Sequence, residues 1–326
     1  MLIMRKVEKF ISKISEDLKI KPRKIVGDAS FRSFYRFNKK GKKFILIFCT
    51  KNKKSNLYNY IKINKILIKS GFTAPKLIDE KIKKNYVIVE DLGLKSFKTL
   101  LSGKKKLKNY KKIIDLLIKI QNENMLKKAQ IPSYSKNFLN NETNIFFDWF
   151  LPMNYSNKKA KLIKNKINKE INKLYSKLEL KDSVFVHRDF HAENLLVSKN
   201  KIGIIDSQDA VKGHKSYDLT SLIDDVRIQS SESLRLNLLN FYIKKNISKK
   251  EIKNFKKCYY FFSVQRLLKI IGIFIRLYKR DGKYKYIKYI PNTWKILDEK
   301  LKYNYLDELR NILNQYCNKK KRKIKI

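Results

Sequence analysis

The sequence predicts an α+β chain in two lobes, a small β-rich lobe first and a larger, mostly helical lobe after it. Three observations lead there. Extended apolar runs joined by short turns dominate the first 91 residues. Helical periodicity takes over beyond Leu92. Midway, the strand-like runs SVFVH and LLVSKNKIGIID interrupt the helices. The expected organisation is 1–91 for the first lobe, 92–318 for the second and 319–326 for a basic tail.

In chain order, Val7, Phe10, Ile11, Ile14 and Leu18 fall on one face of an opening helix. KIVGDASFRSFYRF, NKKGKK and FILIF follow as two extended runs around a glycine-containing turn, the pattern of a hairpin. Residues 56–70 repeat with helical spacing, and Gly71 is placed to stop that helix. KLIDEKI and NYVIVED form a second hairpin, turning at Lys83–Lys84. In the second lobe, Leu107, Tyr110, Ile113, Ile114, Leu117 and Ile120 mark one helix, and Ile163, Ile167, Ile171, Leu174, Tyr175 and Leu178 another. FFDWF supplies aromatic anchors between them, and helices resume from Tyr217 to the end.

A chain of 326 residues buries roughly three quarters of its unfolded surface. With 43% hydrophobic residues, 9 Gly and 5 Pro, it is neither linker-rich nor disordered. Cys49, Cys258 and Cys317 are odd in number and in no metal-ligand spacing, so they read as reduced thiols of a cytoplasmic protein. The net charge of +48 raises nucleic acid as a partner, but Lys is spread along the whole chain instead of gathered on one stripe. Weak, salt-sensitive adsorption is expected, without a specific nucleic-acid partner. The apolar run Tyr259–Ile275 is broken by Gln265, Arg266 and Lys269, too costly at the centre of a bilayer, so it predicts a buried helix and not a membrane span.

The chemistry concentrates in VHRDFHAENLLV, residues 186–197. HRD followed by four residues and Asn is the spacing of a kinase catalytic loop. Phosphoryl transfer asks for a proton acceptor, metal ions on the phosphates and fixed geometry. Asp189 is placed to accept the proton of a substrate hydroxyl, and Asn194 to hold Mg²⁺. Twelve positions on, Asp206 ends an apolar strand, where a second metal-binding carboxylate belongs. His187 and His191 offer an alternative zinc pair, which would need a helix where the flanking runs look extended. Asp218 follows Asp206 by only twelve positions, leaving no platform for a peptide; the acceptor is therefore small. Asp218 either caps the helix it opens or reaches back to amides of the catalytic loop.

HRDFHAEN, IDSQDA and YDL resemble the aminoglycoside/choline-kinase-like phosphotransferases, a family with a bilobal protein-kinase-like fold. GDASFRSFYRF, EDLG and the run Gln265–Pro291 are similar to one branch, the bacterial anomeric kinases of N-acetylmuramate and N-acetylglucosamine, and the resemblance runs in order from about residue 20 to 300. It implies an ATP-dependent, Mg²⁺-requiring sugar kinase of cell-wall recycling, cytoplasmic and monomeric. It implies that Gly27 to Arg32, with Ser30, cover the ATP phosphates, and that Glu90 and Leu92 offer backbone groups to adenine. His191 is implied on the acceptor side, and Arg266 beside an anionic lactyl group or in a structural ion pair. Two departures stand out: FILIF lacks a phosphate-pairing lysine, leaving Arg32, Arg36, Lys43 or Lys51 to replace it, and Ser207 follows Asp206 where an aromatic is usual. Alternatives are the same chemistry on choline-like or aminoglycoside acceptors, or a non-catalytic basic nucleotide- or RNA-binding module.

Overall fold

The computed structural model describes residues 2–25, 32–50, 54–180 and 183–324. It divides into two compact units, Met1–Lys95 with Leu196–Asp209, and Ser96–Leu195 with Ala210–Ile326.

The first unit is built on an antiparallel sheet of five strands in the order β1-β2-β3-β5-β4: β1 (Arg23–Ile25), β2 (Arg32–Lys39), β3 (Lys42–Cys49), β4 (Leu77–Lys81) and β5 (Tyr86–Glu90). Strand β3 is apolar on both faces, and its alternation assigns each residue a partner. Leu46 and Phe48 pack beneath α1 (Leu2–Leu18), whose Ile11 and Ile14 are buried with Val7, Phe10 and Leu18 beside them. Ile47 and Cys49 face Leu57, Tyr60 and Ile61 of α2 (Lys54–Lys69). The β2–β3 turn at Lys40–Gly41 has positive φ at both residues, 51° and 74°, the requirement of a two-residue hairpin loop that matches strand twist. The β4–β5 turn falls over Ile82–Lys84 and is released by Asn85 in the left-handed region. The hairpin β7 (Leu195–Ser198) and β8 (Lys201–Ile204) carries the chain to Asp206.

The second unit holds the helices. In order they are α3 (Phe97–Leu101), α4 (Lys106–Asn122), α5 (Asn124–Lys128), α6 (Lys136–Phe150), α7 (Asn157–Ser176), α8 (Ser216–Ile223), α9 (Glu232–Asn246), α10 (Ile252–Lys279), α11 (Ile290–Leu301) and α12 (Asp307–Tyr316). Strands β6 (Val184–Val186) and β9 (Val211–Gly213) pair antiparallel among them. FFDWF is the C-terminal turn and a half of α6, a helix started where the Ser135 side chain accepts from Phe138 N–H. Helix α10 is the axis of the core, and Gly272 lets α6 lie against it: a Cβ there would sit 2.3 Å from the Ile145 carbonyl oxygen. By length and composition α10 is apolar enough to cross a membrane, yet 89% of that stretch is buried inside the fold.

Candidate active site

In the second unit, β6 delivers the chain into the loop His187–His191, and a short 3-10 turn, Ala192–Asn194, takes it out. Arg188 occupies the left-handed region at φ 72°, a strain of about 1–3 kcal/mol for a non-glycine residue. Its surroundings account for its persistence. Asp218 at the start of α8 accepts the His187 and Arg188 amides at 2.7 and 2.9 Å, the reach-back arrangement instead of a helix cap. The Arg188 guanidinium donates to Glu142 of α6 at 2.6 Å, and its carbonyl accepts from Arg266 of α10 at 3.1 Å.

Glu142 is a buried anion with many donors. Tyr134 and Tyr217 hydroxyls, the Arg188 guanidinium and the Lys269 ammonium all reach it within 3.0 Å. Burial alone would raise its carboxyl, but Lys269 and Arg188 outweigh burial and lower it to about 2.

Asp189 sits on this base with its side chain 38% exposed, 3.8 Å from an Arg266 nitrogen. Burial opposes its charge, but Lys269 and Arg266 hold the carboxyl well below the usual carboxylate range. It is therefore an anion at any working pH. Asn194 donates from Nδ2 to the Asp189 carbonyl at 3.0 Å, which closes the loop and leaves Oδ1 as the free end of the amide.

His191 is buried, its Nε2 lying 3.5 Å from Asn194 Nδ2. Burial first, then the Arg227 guanidinium, push its imidazole down to about 4, so it is neutral near pH 7. Arg227 pairs with Asp225 at 3.2 Å and lies 3.1 Å from Glu193, which also binds Lys98 at 2.5 Å.

In the first unit, Asp206 follows β8 with φ 67° and a side chain one-third exposed. Arg32, at the start of β2, pairs with Asp206 and donates to Gln208 at 2.8 Å. Ser207 is buried and donates to Asn64 of α2 at 2.8 Å, so a hydrogen bond takes the place of aromatic packing. Arg36 is bound to Asp91 at 2.5 and 3.0 Å, and Lys43 is exposed. Glu90 ends β5 and Leu92 is buried just beyond it; Gly93, at φ 105°, donates its amide to Asp91. Gly27, Ser30 and Lys51 lie outside the described residues.

The donor atoms suit a hard cation. Asn194 and Asp206 each carry side-chain oxygen donors, the type that Mg²⁺ takes through one or two carboxylates together with substrate phosphates. Among the described residues no group of three or more His, Cys, Asp or Glu is arranged to hold a metal by itself.

A family model described as "Phosphotransferase enzyme family" matches residues 21–250. The chain belongs to that family. This phosphotransferase is 27% identical over 300 residues to an N-acetylmuramate/N-acetylglucosamine kinase of Neisseria meningitidis, covering 89% of this chain and 85% of the relative. It is 26% identical over 277 residues to a protein of the same name from Pseudomonas aeruginosa, covering 83% and 81%. Among solved structures it is similar to a choline kinase from Streptococcus pneumoniae (TM-score 0.62, 17% identity, 92% of this chain and 99% of the other). It is also similar to an ADP-bound aminoglycoside phosphotransferase (TM-score 0.59, 14% identity, 92% and 98%). At those identities the structures establish the protein-kinase-like fold, as the motif order implied.

The sequence did not single out Glu142, Asp225 or Arg227. Lys269 was visible only as a polar break in an apolar run, and that break was the available signal: an ammonium inside a core helix needs a buried counter-charge. Glu142 just before an aromatic run is the same signal seen from the other side.

Proposed function

We propose that this phosphotransferase transfers the γ-phosphoryl group of Mg-ATP to the anomeric hydroxyl of N-acetylmuramate or N-acetylglucosamine. The observation that carries the substrate is the near-full-length match to kinases named for these two sugars, with 89% of this chain aligned. The catalytic loop supports the reaction class. Asp189 is the proton acceptor and Asn194 and Asp206 are the metal ligands; the divalent ion would neutralise charge on the phosphates. Because Asp189 is held as a weakly basic anion, it suits a relatively acidic hydroxyl, which a hemiacetal is in comparison with an ordinary alcohol. His191, neutral, is proposed on the acceptor side, where an imidazole can donate or accept toward sugar hydroxyls.

Arg32 is proposed as the substitute for the phosphate-pairing lysine that β3 lacks. It supports that role by being buried and already paired with Asp206, whereas Arg36 is committed to Asp91. Gly27 and Ser30 are proposed to cover the phosphates, and Glu90 and Leu92 to meet adenine. A monomeric enzyme of the cytoplasm, serving reuse of cell-wall sugars, is the setting that fits this chemistry.

The test is direct. Purified protein with Mg-ATP is offered N-acetylmuramate, N-acetylglucosamine, choline and an aminoglycoside, and the product is read by ³¹P NMR. A sugar 1-phosphate is expected from the first two. Turnover of choline or the aminoglycoside alone would overturn the acceptor assignment.

A further inference from the structure

The catalytic loop is held at its entrance by Asp218, which accepts the His187 and Arg188 amides. Its exit, the 3-10 turn Ala192–Asn194, has a different anchor. Ala192 carries no polar side chain, and Asn194 turns its amide inward, donating to the Asp189 carbonyl at 3.0 Å. Glu193 is the side chain of the turn that reaches outward. Its Oε1 binds the Lys98 ammonium of α3 at 2.5 Å, and its Oε2 lies 3.1 Å from Nε of Arg227, beyond the end of α8. One carboxylate thus engages two cations from separate parts of the second unit, one on each oxygen.

Both cations have other anchors besides Glu193. The main-chain amide and Nη1 of Arg227 donate to Oδ1 of Asp225 at 3.1 and 3.2 Å, and the Asp225 side chain is fully buried. The Arg227 guanidinium also lies 5.9 Å from the centre of the Phe274 ring, and the Lys98 ammonium 5.9 Å from that of Tyr289, within cation–π range. Those two rings lie against each other, their centres 5.8 Å apart. Lys98 and Arg227 therefore share one aromatic base, formed by α10 and the 3-10 turn Tyr284–Tyr289. The Lys98 and Glu193 side chains are 35% and 26% exposed, and ion pairs that reach solvent add little stability. What they supply is geometry. A carboxylate bound on both oxygens has little freedom to turn, and the peptide leading from it to Asn194 is restrained with it.

We propose that Glu193 is a positioning residue, clasped between Lys98 and Arg227, that fixes the turn carrying Asn194 and so orients the Asn194 amide toward the divalent ion. The orienting role rests on the reading of Asn194 as a metal ligand; the clasp on the turn does not.

Two measurements on the full chain test it, and neither needs an acceptor. The side-chain amide of Asn194, assigned by its loss in N194A, is followed by ¹H–¹⁵N NMR without metal or nucleotide in the wild type, E193Q, K98M, K98R and R227M. Mn²⁺ affinity in the presence of ATP is read by EPR on the same proteins. The Asn194 signal is expected to shift or broaden in E193Q, K98M and R227M, and to keep its wild-type position in K98R, which retains the cation. Mn²⁺ affinity should fall about 3- to 10-fold in E193Q and K98M, less than the roughly 10- to 100-fold usual when a direct partner of a metal ligand is lost. The double variant K98M/E193Q should lose no more than E193Q alone, because both changes break one contact. Melting midpoints of K98M and E193Q should stay within about 2 °C of the wild type, so a loss of fold does not explain the effect. Should R227M fail to fold, K98M and E193Q carry the test. An Asn194 signal unmoved in E193Q and K98M would overturn the proposal, and so would a K98R as perturbed as K98M. A moved signal with Mn²⁺ affinity unchanged even in N194A would sink the metal-ligand reading and the orienting role with it, while upholding the clasp on the turn.

Discussion

At the scale of single residues, the site is a set of charges arranged so that each has a defined protonation state. Asp189 stays ionised because buried cations lie beneath it, and His191 stays neutral because burial and Arg227 both disfavour its proton. D189N keeps the shape of the loop and removes the proposed proton acceptor. It should lower kcat by about 10²–10⁴-fold, the usual contribution of a general base. Nucleotide affinity, measured by calorimetry with Mg-ATP, should stay within about two-fold, and a near-wild-type kcat would remove Asp189 from the role. Arg188 illustrates how a strained residue is retained: its backbone amide, carbonyl and guanidinium are each bound by a different neighbour. Asp218, whose two possible roles looked alike in the sequence, is settled by two amide hydrogen bonds.

At the scale of elements, the contact of α6 with α10 matters most, because it carries Glu142 to Lys269 and the loop. The two helices approach so closely that Gly272 has no room for a methyl group, its Cβ position lying 2.3–2.7 Å from backbone atoms of Ile145 and Phe146. Backbone cannot rotate away as a side chain can, so G272A must push the helices apart. We expect about 1–3 kcal/mol or more of destabilisation, read from urea melts. Kinase activity should fall further than stability explains, because Lys269 moves relative to Glu142. An unchanged melting midpoint would mean that the close approach is not maintained in solution. The strands β2 and β3 show the opposite economy: alternation along FILIF supplies α1 on one face and α2 on the other from a single eight-residue strand.

At the scale of the whole molecule, stability against acid follows from the same buried charges. Glu142 is lowered from 4.5 to about 2, so its contribution is present above about pH 4.5 and is lost as pH falls toward 2. His191 is lowered from 6.5 to about 4; the unfolded chain takes up its proton first, and stability declines through that window as pH drops. Asp218, which burial raises from 3.8 to about 6, acts in the opposite sense between those values. Thermal midpoints should therefore change modestly from pH 6.5 to 4.5 and fall steeply below. E142Q should be less stable at pH 7 yet flatter below 4.5; an equally steep fall would place the acid-labile group elsewhere. The net charge of +48 predicts a second global property, adsorption to DNA or heparin that weakens by orders of magnitude between about 50 and 200 mM salt. Binding that survives physiological salt would point to a dedicated nucleic-acid surface.

Much of this was legible in the chain. The hairpins at Lys40–Gly41 and Ile82–Lys84, the face of α1 and the buried helix around Gln265 follow from local periodicity and turn chemistry. So does the reaction class, because Asp189, Asn194 and Asp206 lie close together along the sequence. The sequence by itself determined the reaction class, and it placed the candidate oxygen donors and proton acceptor on roughly the elements that carry them. Only the tertiary structure decided what surrounds them. Glu142 and Lys269 are 127 positions apart, and no local pattern links a carboxylate on one helix to an ammonium on another. Their pairing exists because two helices pack closely at Gly272, which brings both charged groups into the same buried region.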